Sequence, residues 1–267
     1  MHDVTYGDRV NELHERKFIL TNVRTFIDAL TALENIKTWS FIVTVFGDLD
    51  SDNQLPLSGK DIGSIMAHIG IKPEAVRVAL HRLKRDGWIN TEKSGREVLY
   101  FLSRRGLAET ACVYEDVYSH TVKYPQGWQL VFEEGEPAFC GIRLSRNLGI
   151  LPKDRVIEFK DAVMLEFVDQ NLPKWLEHLI VAPPTLEIAR RLETLLNGYQ
   201  AMTKPSASLD LIAIRLLFLH HWRKLALRNA VWAHIGLFEN GPLSSCHKRI
   251  TSLLADTPKL ASLLTSR

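Results

Sequence analysis

Apolar residues recur at helical spacing twice in quick succession in the first half of the chain. Ile62, Ile65, Met66 and Ile69 mark one stripe, and Val76, Ala79, Leu80 and Leu83 mark a second. Ser58, with Asp61 three positions on, is a variant of the capping box that opens the first helix, and Gly70 closes it. Only Ile71-Lys72 separates that glycine from Pro73-Glu74, where proline suits a first helical turn and the acid complements the helix dipole. Gly87 ends the second helix. Two strand-like runs follow, Trp88 to Thr91 and Val98 to Leu102, flanking the basic tip Glu92-Lys93-Ser94-Gly95-Arg96-Glu97.

Helix, tight glycine-containing turn, helix and basic hairpin together predict a winged helix-turn-helix. Ahead of it, residues 1–36 read as an arm followed by a packing helix over Val23 to Leu33. Trp39 to Phe46 (WSFIVTVF) is apolar and rich in β-branched residues, which favour strand locally. A buried helix fits its neighbours better. Asp48 to Pro56 reads as a polar loop, and Ser103 opens a helix reaching about His120. Tyr124-Pro125-Gln126-Gly127 breaks the chain. Beyond it come a strand at Trp128 to Phe132, an acidic turn at Glu133 to Pro137 and a helix over Phe139 to Leu148. Strands at Arg155 to Phe159 and Met164 to Val168 and a helix from Pro173 to Leu179 complete a small α+β unit ending near Pro183-Pro184. Helices follow over Leu186 to Ala201, Ser206 to Arg228 and Ser244 to Leu264. The expected organisation is an α+β, multidomain chain: an arm (1–36), a winged helix-turn-helix DNA-binding domain (37–122), an α+β domain (123–184) and a helical C-terminal domain (185–267).

Composition narrows the function classes. Hydrophobic residues make up 46% and charged residues 24%, which excludes wholesale disorder. No run approaches the roughly 18 apolar residues of a membrane span. The polar N-terminus has no secretory core, and three cysteines far apart (Cys112, Cys140, Cys246) fit neither a disulfide framework nor a zinc module. The chain is expected to be cytoplasmic. Net charge is only +2, but residues 60–106 hold ten Lys/Arg against five acids, a basic island in an otherwise acidic chain.

That island concentrates on the second helix. With Val76, Leu80 and Leu83 inward, the opposite side carries Arg77, Val78, His81, Arg82, Lys84 and Arg85. A recognition helix sets its N-terminal exposed residues against base edges and leaves later cations to phosphates. Arg77 and His81 are one turn apart, and an arginine reads guanine through two hydrogen bonds worth roughly 1–3 kcal/mol of discrimination. Lys84, Arg85 and Lys60 are assigned to the backbone, and Lys93 and Arg96 to a wing contact. The competing reading pairs Arg77 and Arg82 with acids of their own domain; the acids on this helix, Glu74 and Asp86, lie at its two ends.

Three stretches of residues 39–105 resemble the PaaX family of bacterial repressors, named for control of phenylacetate catabolism. They are Thr44-Val45-Phe46-Gly47-Asp48, the run from Ala75 to Trp88 with Arg77, Arg82, Leu83 and Gly87-Trp88 in the family's pattern, and Gly95-Arg96 with Tyr100, Leu102 and Arg105-Gly106. Downstream, Arg215, His220 and Arg223 match the family's Arg, His and Arg spacing. The chain then departs, with Asn229-Ala230 and Val231-Trp232 where the family has Asp-Pro and Leu-Pro. The resemblance implies a winged helix-turn-helix, then a ferredoxin-like (Cas2-like) domain that pairs subunits, then an all-α C-terminal domain. It also implies a homodimer on a double-stranded DNA operator, repressing an aromatic or acyl-CoA catabolic operon and released by phenylacetyl-CoA or another acyl-CoA.

The C-terminal cations admit two readings. Arg215, His220 and Arg223 beside apolar wall suit the phosphates of such a thioester; alternatively Arg215 pairs with an acid of the central domain. His221 and Lys224 read as solvated. No catalytic motif is present, His220 and His221 diverge by about 100° on a helix, and the strand Trp128 to Phe132 carries no metal-binding acid, so neither an enzyme nor a cofactor is expected. The alternative to a repressor is a winged helix used only for protein interaction, against which the one-signed face weighs.

Overall fold

The computed structural model describes residues 22–49, 55–118, 127–133, 142–153, 162–167, 172–228 and 231–265. It is an α+β protein, mostly helical, with two small antiparallel sheets. Among these residues no helix is long and apolar enough to cross a membrane.

Helix α1 (Val23–Thr31) starts at Asn22, whose side chain accepts from the Arg24 amide at 2.9 Å, and it buries Phe26, Ile27 and Leu30. The β-branched run folds as helix α2 (Thr38–Asp48), because it is covered on opposite sides and strand propensity yields to that burial. Phe41, Ile42, Val45 and Phe46 are all buried. Of the loop expected from Asp48 to Pro56, Asp48 instead ends α2 and residues 50–54 lie outside the described residues; Leu57–Ser58 beyond it form a two-residue strand, β1.

Helices α3 (Gly59–His68) and α4 (Pro73–Arg85) follow, then the hairpin β2 (Ile89–Ser94) and β3 (Glu97–Leu102). The three strands form a sheet of order β1-β3-β2, with Leu57 opposite Tyr100 and Thr91 opposite the same tyrosine on the other edge. The single helix expected from Ser103 is two, α5 (Arg104–Cys112) and α6 (Tyr114–Tyr118).

The second sheet has order β5-β6-β4-β7, from β4 (Trp128–Glu133), β5 (Ile142–Arg143), β6 (Leu148–Pro152) and β7 (Ala162–Phe167). A helix over Phe139 to Leu148 is therefore corrected. Its described part enters an antiparallel ladder, with Ile150 opposite both Ile142 and Leu130, and that non-local pairing overrides the helical spacing. The residues expected as a strand at 155–159, the break at 124–126, most of the arm and Asn229-Ala230 lie outside the described residues.

The C-terminal region contains α7 (Lys174–Ile180), α8 (Pro183–Ala201), α9 (Ser208–Ala226), α10 (Val231–Leu237), α11 (Pro242–Asp256) and α12 (Leu260–Thr265). Helix α10 was not expected, and the anticipated helix ending at Leu264 divides around Pro258, which cannot continue a ladder. Helix α9 carries buried residues on all sides, charged ones included, because it is enclosed: it packs on α1, α2 and α3 as well as on α8 and α11. One contiguous apolar core consequently runs from Phe26 to Leu260.

Candidate nucleic-acid interface

Helices α3 and α4 end in the same way. Gly70 and Gly87 have φ of 80° and 73°, the left-handed conformation in which glycine meets no steric penalty. In each case the next amide reaches back five residues, Ile71 N to Met66 O at 2.9 Å and Trp88 N to Leu83 O at 2.8 Å. This Schellman closure satisfies the terminal carbonyls and turns the chain sharply. Gly70 thereby delivers α4 at a fixed angle after two linking residues, and Gly87 delivers the hairpin. At the start of α3 the Ser58 hydroxyl accepts from the Asp61 amide at 3.1 Å, the bond a capping box predicts, and it donates to the Asp61 carboxylate at 2.7 Å.

Val76, Ala79, Leu80 and Leu83 are buried, so α4 turns its other side outward. Arg77, Val78, His81, Arg82, Lys84 and Arg85 are all exposed, as are Lys60 on α3 and Lys93 and Arg96 on the hairpin. Arg77 and Arg82 do meet the acids at the helix ends, Glu74 and Asp86, but only at 3.4 Å and in open solvent. Such pairs are worth about 0–1 kcal/mol and yield to a stronger anion. The Lys84 ammonium donates to Thr91 Oγ1 at 2.8 Å, tying the helix to the hairpin. Trp39, missed in the sequence pattern, lies beneath the Arg82 guanidinium at 5.6 Å from the ring centroid and restricts it by a cation–π contact. The half-exposed tryptophan at the first turn of an otherwise buried helix was the available signal.

The C-terminal residues are placed differently. Arg215 is buried in α9 and forms a two-pronged pair with Asp48 of α2, Nε to Oδ2 and Nη2 to Oδ1, both at 2.8 Å. Its remaining nitrogen donates to the carbonyls of Leu254 and Thr257 and to the Thr257 hydroxyl. The partner acid thus comes from the end of α2, not from the central domain. His220 Nδ1 lies 3.0 Å from the Thr44 hydroxyl, and burial pushes the His220 pKa down to about 2. Arg223 donates to Ser40 O, Ser40 Oγ and Thr44 Oγ1 at 2.8–3.2 Å, and burial lowers its pKa.

His221 and Lys224, expected in solvent, require correction. His221 is fully buried with Nε2 at 2.8 Å from Leu30 O, and Lys224 is 3.2 Å from Glu34. The neighbouring His221, Lys224 and Arg228 hold the Glu34 carboxyl at about 2 against the opposing effect of burial. His221 stands 4.0 Å away, beyond hydrogen-bond reach, so the close contacts are those of Lys224 and of Arg228 at 3.1 Å. The molecule therefore separates its basic residues into an exposed set on α3, α4 and the hairpin and an internally bonded set on α9.

Residues 37–106, which contain the whole exposed set, match the family model described as PaaX-like protein. The chain is 26% identical over 117 residues to the Transcriptional repressor PaaX of Escherichia coli (strain K12), a match covering 43% of this chain and 37% of that relative. The match thus spans little over a third of the length of its curated relative.

Proposed function

We propose that this chain is a PaaX-like transcriptional repressor that binds double-stranded DNA through a winged helix-turn-helix, with α4 as recognition helix and the β2–β3 hairpin as wing. The observation that carries the reading is the exposed cationic side of α4, left without strong internal partners while the arginines of α9 are tightly bonded. Arg77, Val78 and His81 face base edges, and Arg82, held by Trp39, positions beside them. Lys60, Lys84 and Arg85 meet phosphates, and Lys93 and Arg96 anchor the wing.

In the same reading the chain acts in the cytoplasm as a homodimer on a two-fold operator. An arm (1–36) precedes the DNA-binding domain (37–122), a ferredoxin-like domain (123–184) pairs the subunits, and a helical domain (185–267) receives the signal. The regulated genes are an aromatic or acyl-CoA catabolic operon, and the release signal is phenylacetyl-CoA or a related thioester. A thioester engaging Arg215, His220 or Arg223 must exchange bonds those residues make to α2 and the neighbouring chain. Because α4 packs on α2, that exchange would reach the recognition helix.

A gel shift with the full chain on the DNA upstream of its own gene, in a salt series with and without phenylacetyl-CoA, tests this. The expected result is a shift that weakens with salt and is lost on adding the thioester. Binding indifferent to the thioester removes the proposed signal but keeps the repressor. No shift at low salt on this DNA or on random duplex sinks the reading and favours a protein-interaction module.

A further inference from the structure

Val78 is the most exposed large apolar side chain among the described residues, at 70%, ahead of Trp175 at 65%. Its place on α4 makes that exposure informative. With successive residues 100° apart, the centre line of the outward side runs through Glu74, Val78, His81 and Arg85, with Arg77 on one flank and Arg82 on the other. The side opposite carries the buried Val76, Ala79, Leu80 and Leu83. A β-branched residue is a poorer helix former than alanine, and among the described residues Val78 stays 70% exposed, with little cover in return. The apolar group therefore lies at the middle of a cationic face, where a polyanion with an apolar feature on its surface is the complementary partner.

In the DNA major groove that feature is the C5-methyl of thymine, which alone among the base edges offers an aliphatic contact. We infer that Val78 reads a thymine methyl, and that this contact, together with Arg77, sets part of the operator sequence. The inference rests on the DNA-binding reading above. Helix neighbours three or four positions apart have their Cβ atoms about 5–6 Å apart, against a rise of about 3.4 Å per base pair. The thymine accordingly falls one to two base-pair steps from the base met by His81.

The test is a selection of high-affinity duplexes from a random library with the full chain, followed by replacement of each thymine in the selected site by uracil, which removes only the methyl. One thymine per half-site is expected at which uracil weakens wild-type binding about 5- to 10-fold. Val78→Ala should weaken the thymine duplex by a similar factor and be indifferent to uracil at that position. If no uracil lowers wild-type affinity, or if the loss persists undiminished in Val78→Ala, the inference is overturned while DNA binding stands. A selection that enriches no sequence overturns sequence-specific reading, and this inference with it. Val78→Thr, which keeps the shape but exchanges a methyl for a hydroxyl, should fall between the two and guards against a folding effect in the alanine variant.

Discussion

The arginines of α4 and those of α9 share a chemistry and differ in everything around it. On α4, Arg77 and Arg82 stand in solvent and meet carboxylates at 3.4 Å, within their own helix or its cap. On α9, Arg215 is 2% exposed and meets Asp48 at 2.8 Å across 167 residues of sequence. Water screens the first pairs and leaves their cations available; it is excluded from the second, where an unpaired charge is costly. The position of a cation relative to the core decides its work. The exposed set stays in solvent, open to an outside anion, and the buried set fastens α9 to α2.

Removing one member of the buried pair should have the largest effect. Asp48→Ala leaves the Arg215 guanidinium uncompensated in the core and should lower stability by about 3–5 kcal/mol in urea unfolding. A loss under 1 kcal/mol would mean that Arg215 is not a fold-holding charge. On the exposed side, Arg77→Ala should leave unfolding within about 0.5 kcal/mol of wild type. It should cost about 1–3 kcal/mol in affinity for a selected duplex, measured by titration. Equal loss of stability in the two variants would erase the distinction.

Acid sharpens it further. Below about pH 6.5 an unfolded histidine takes up a proton, whereas folded His220 stays neutral until about pH 2. The unfolded chain therefore binds more protons across that window, and stability falls as pH falls. From pH 6.5 to 5 the loss from this residue is about 1.7 kcal/mol, the slope reaching about 1.4 kcal/mol per pH unit only well below the unfolded pKa. His234, also held neutral by burial, adds in the same direction. Glu34 contributes later, since its stabilisation is intact above about pH 4.5 and is lost only as pH falls towards 2. His220→Asn should flatten the pH 5–6.5 limb of a thermal-melt series; an unchanged limb would contradict the burial argument. The smallest effect is expected at Trp39, where alanine frees Arg82 and should cost about 0.5–1 kcal/mol of duplex affinity without changing the salt dependence.

The exposed half of this comparison was legible in the sequence. Periodic burial on one side of α4 dictates which residues face outward, and the glycines at 70 and 87 dictate the turns between elements. Both signals are local, and both are realised in the structure. The buried half was not legible. That Arg215 needed a partner followed from its apolar helix, but Asp48 could be matched to it only by tertiary packing. The complementary clue was a lone acid ending the apolar run Trp39 to Phe46. His221 and Lys224 looked solvated because their helix carries many cations, and only the close approach of α1 and Glu34 encloses them. Strand β1 was too short to show any alternation, and β5 and β6 depend on partners across the sheet, so local spacing misled there.

The central claim is that the outward cations of α4 and its hairpin are the ones that meet DNA. Its most direct test is the slope of log affinity against log salt on duplex DNA. It compares the wild-type chain with a variant carrying Lys84→Ala, Lys93→Ala and Arg96→Ala. With each lost phosphate contact reducing the slope by about one unit, the variant should lose about three, and its melting temperature should fall only by the small amount expected from losing the Lys84–Thr91 bond. An unchanged slope in the correctly folded variant would contradict the account and place the DNA contact, or its absence, elsewhere.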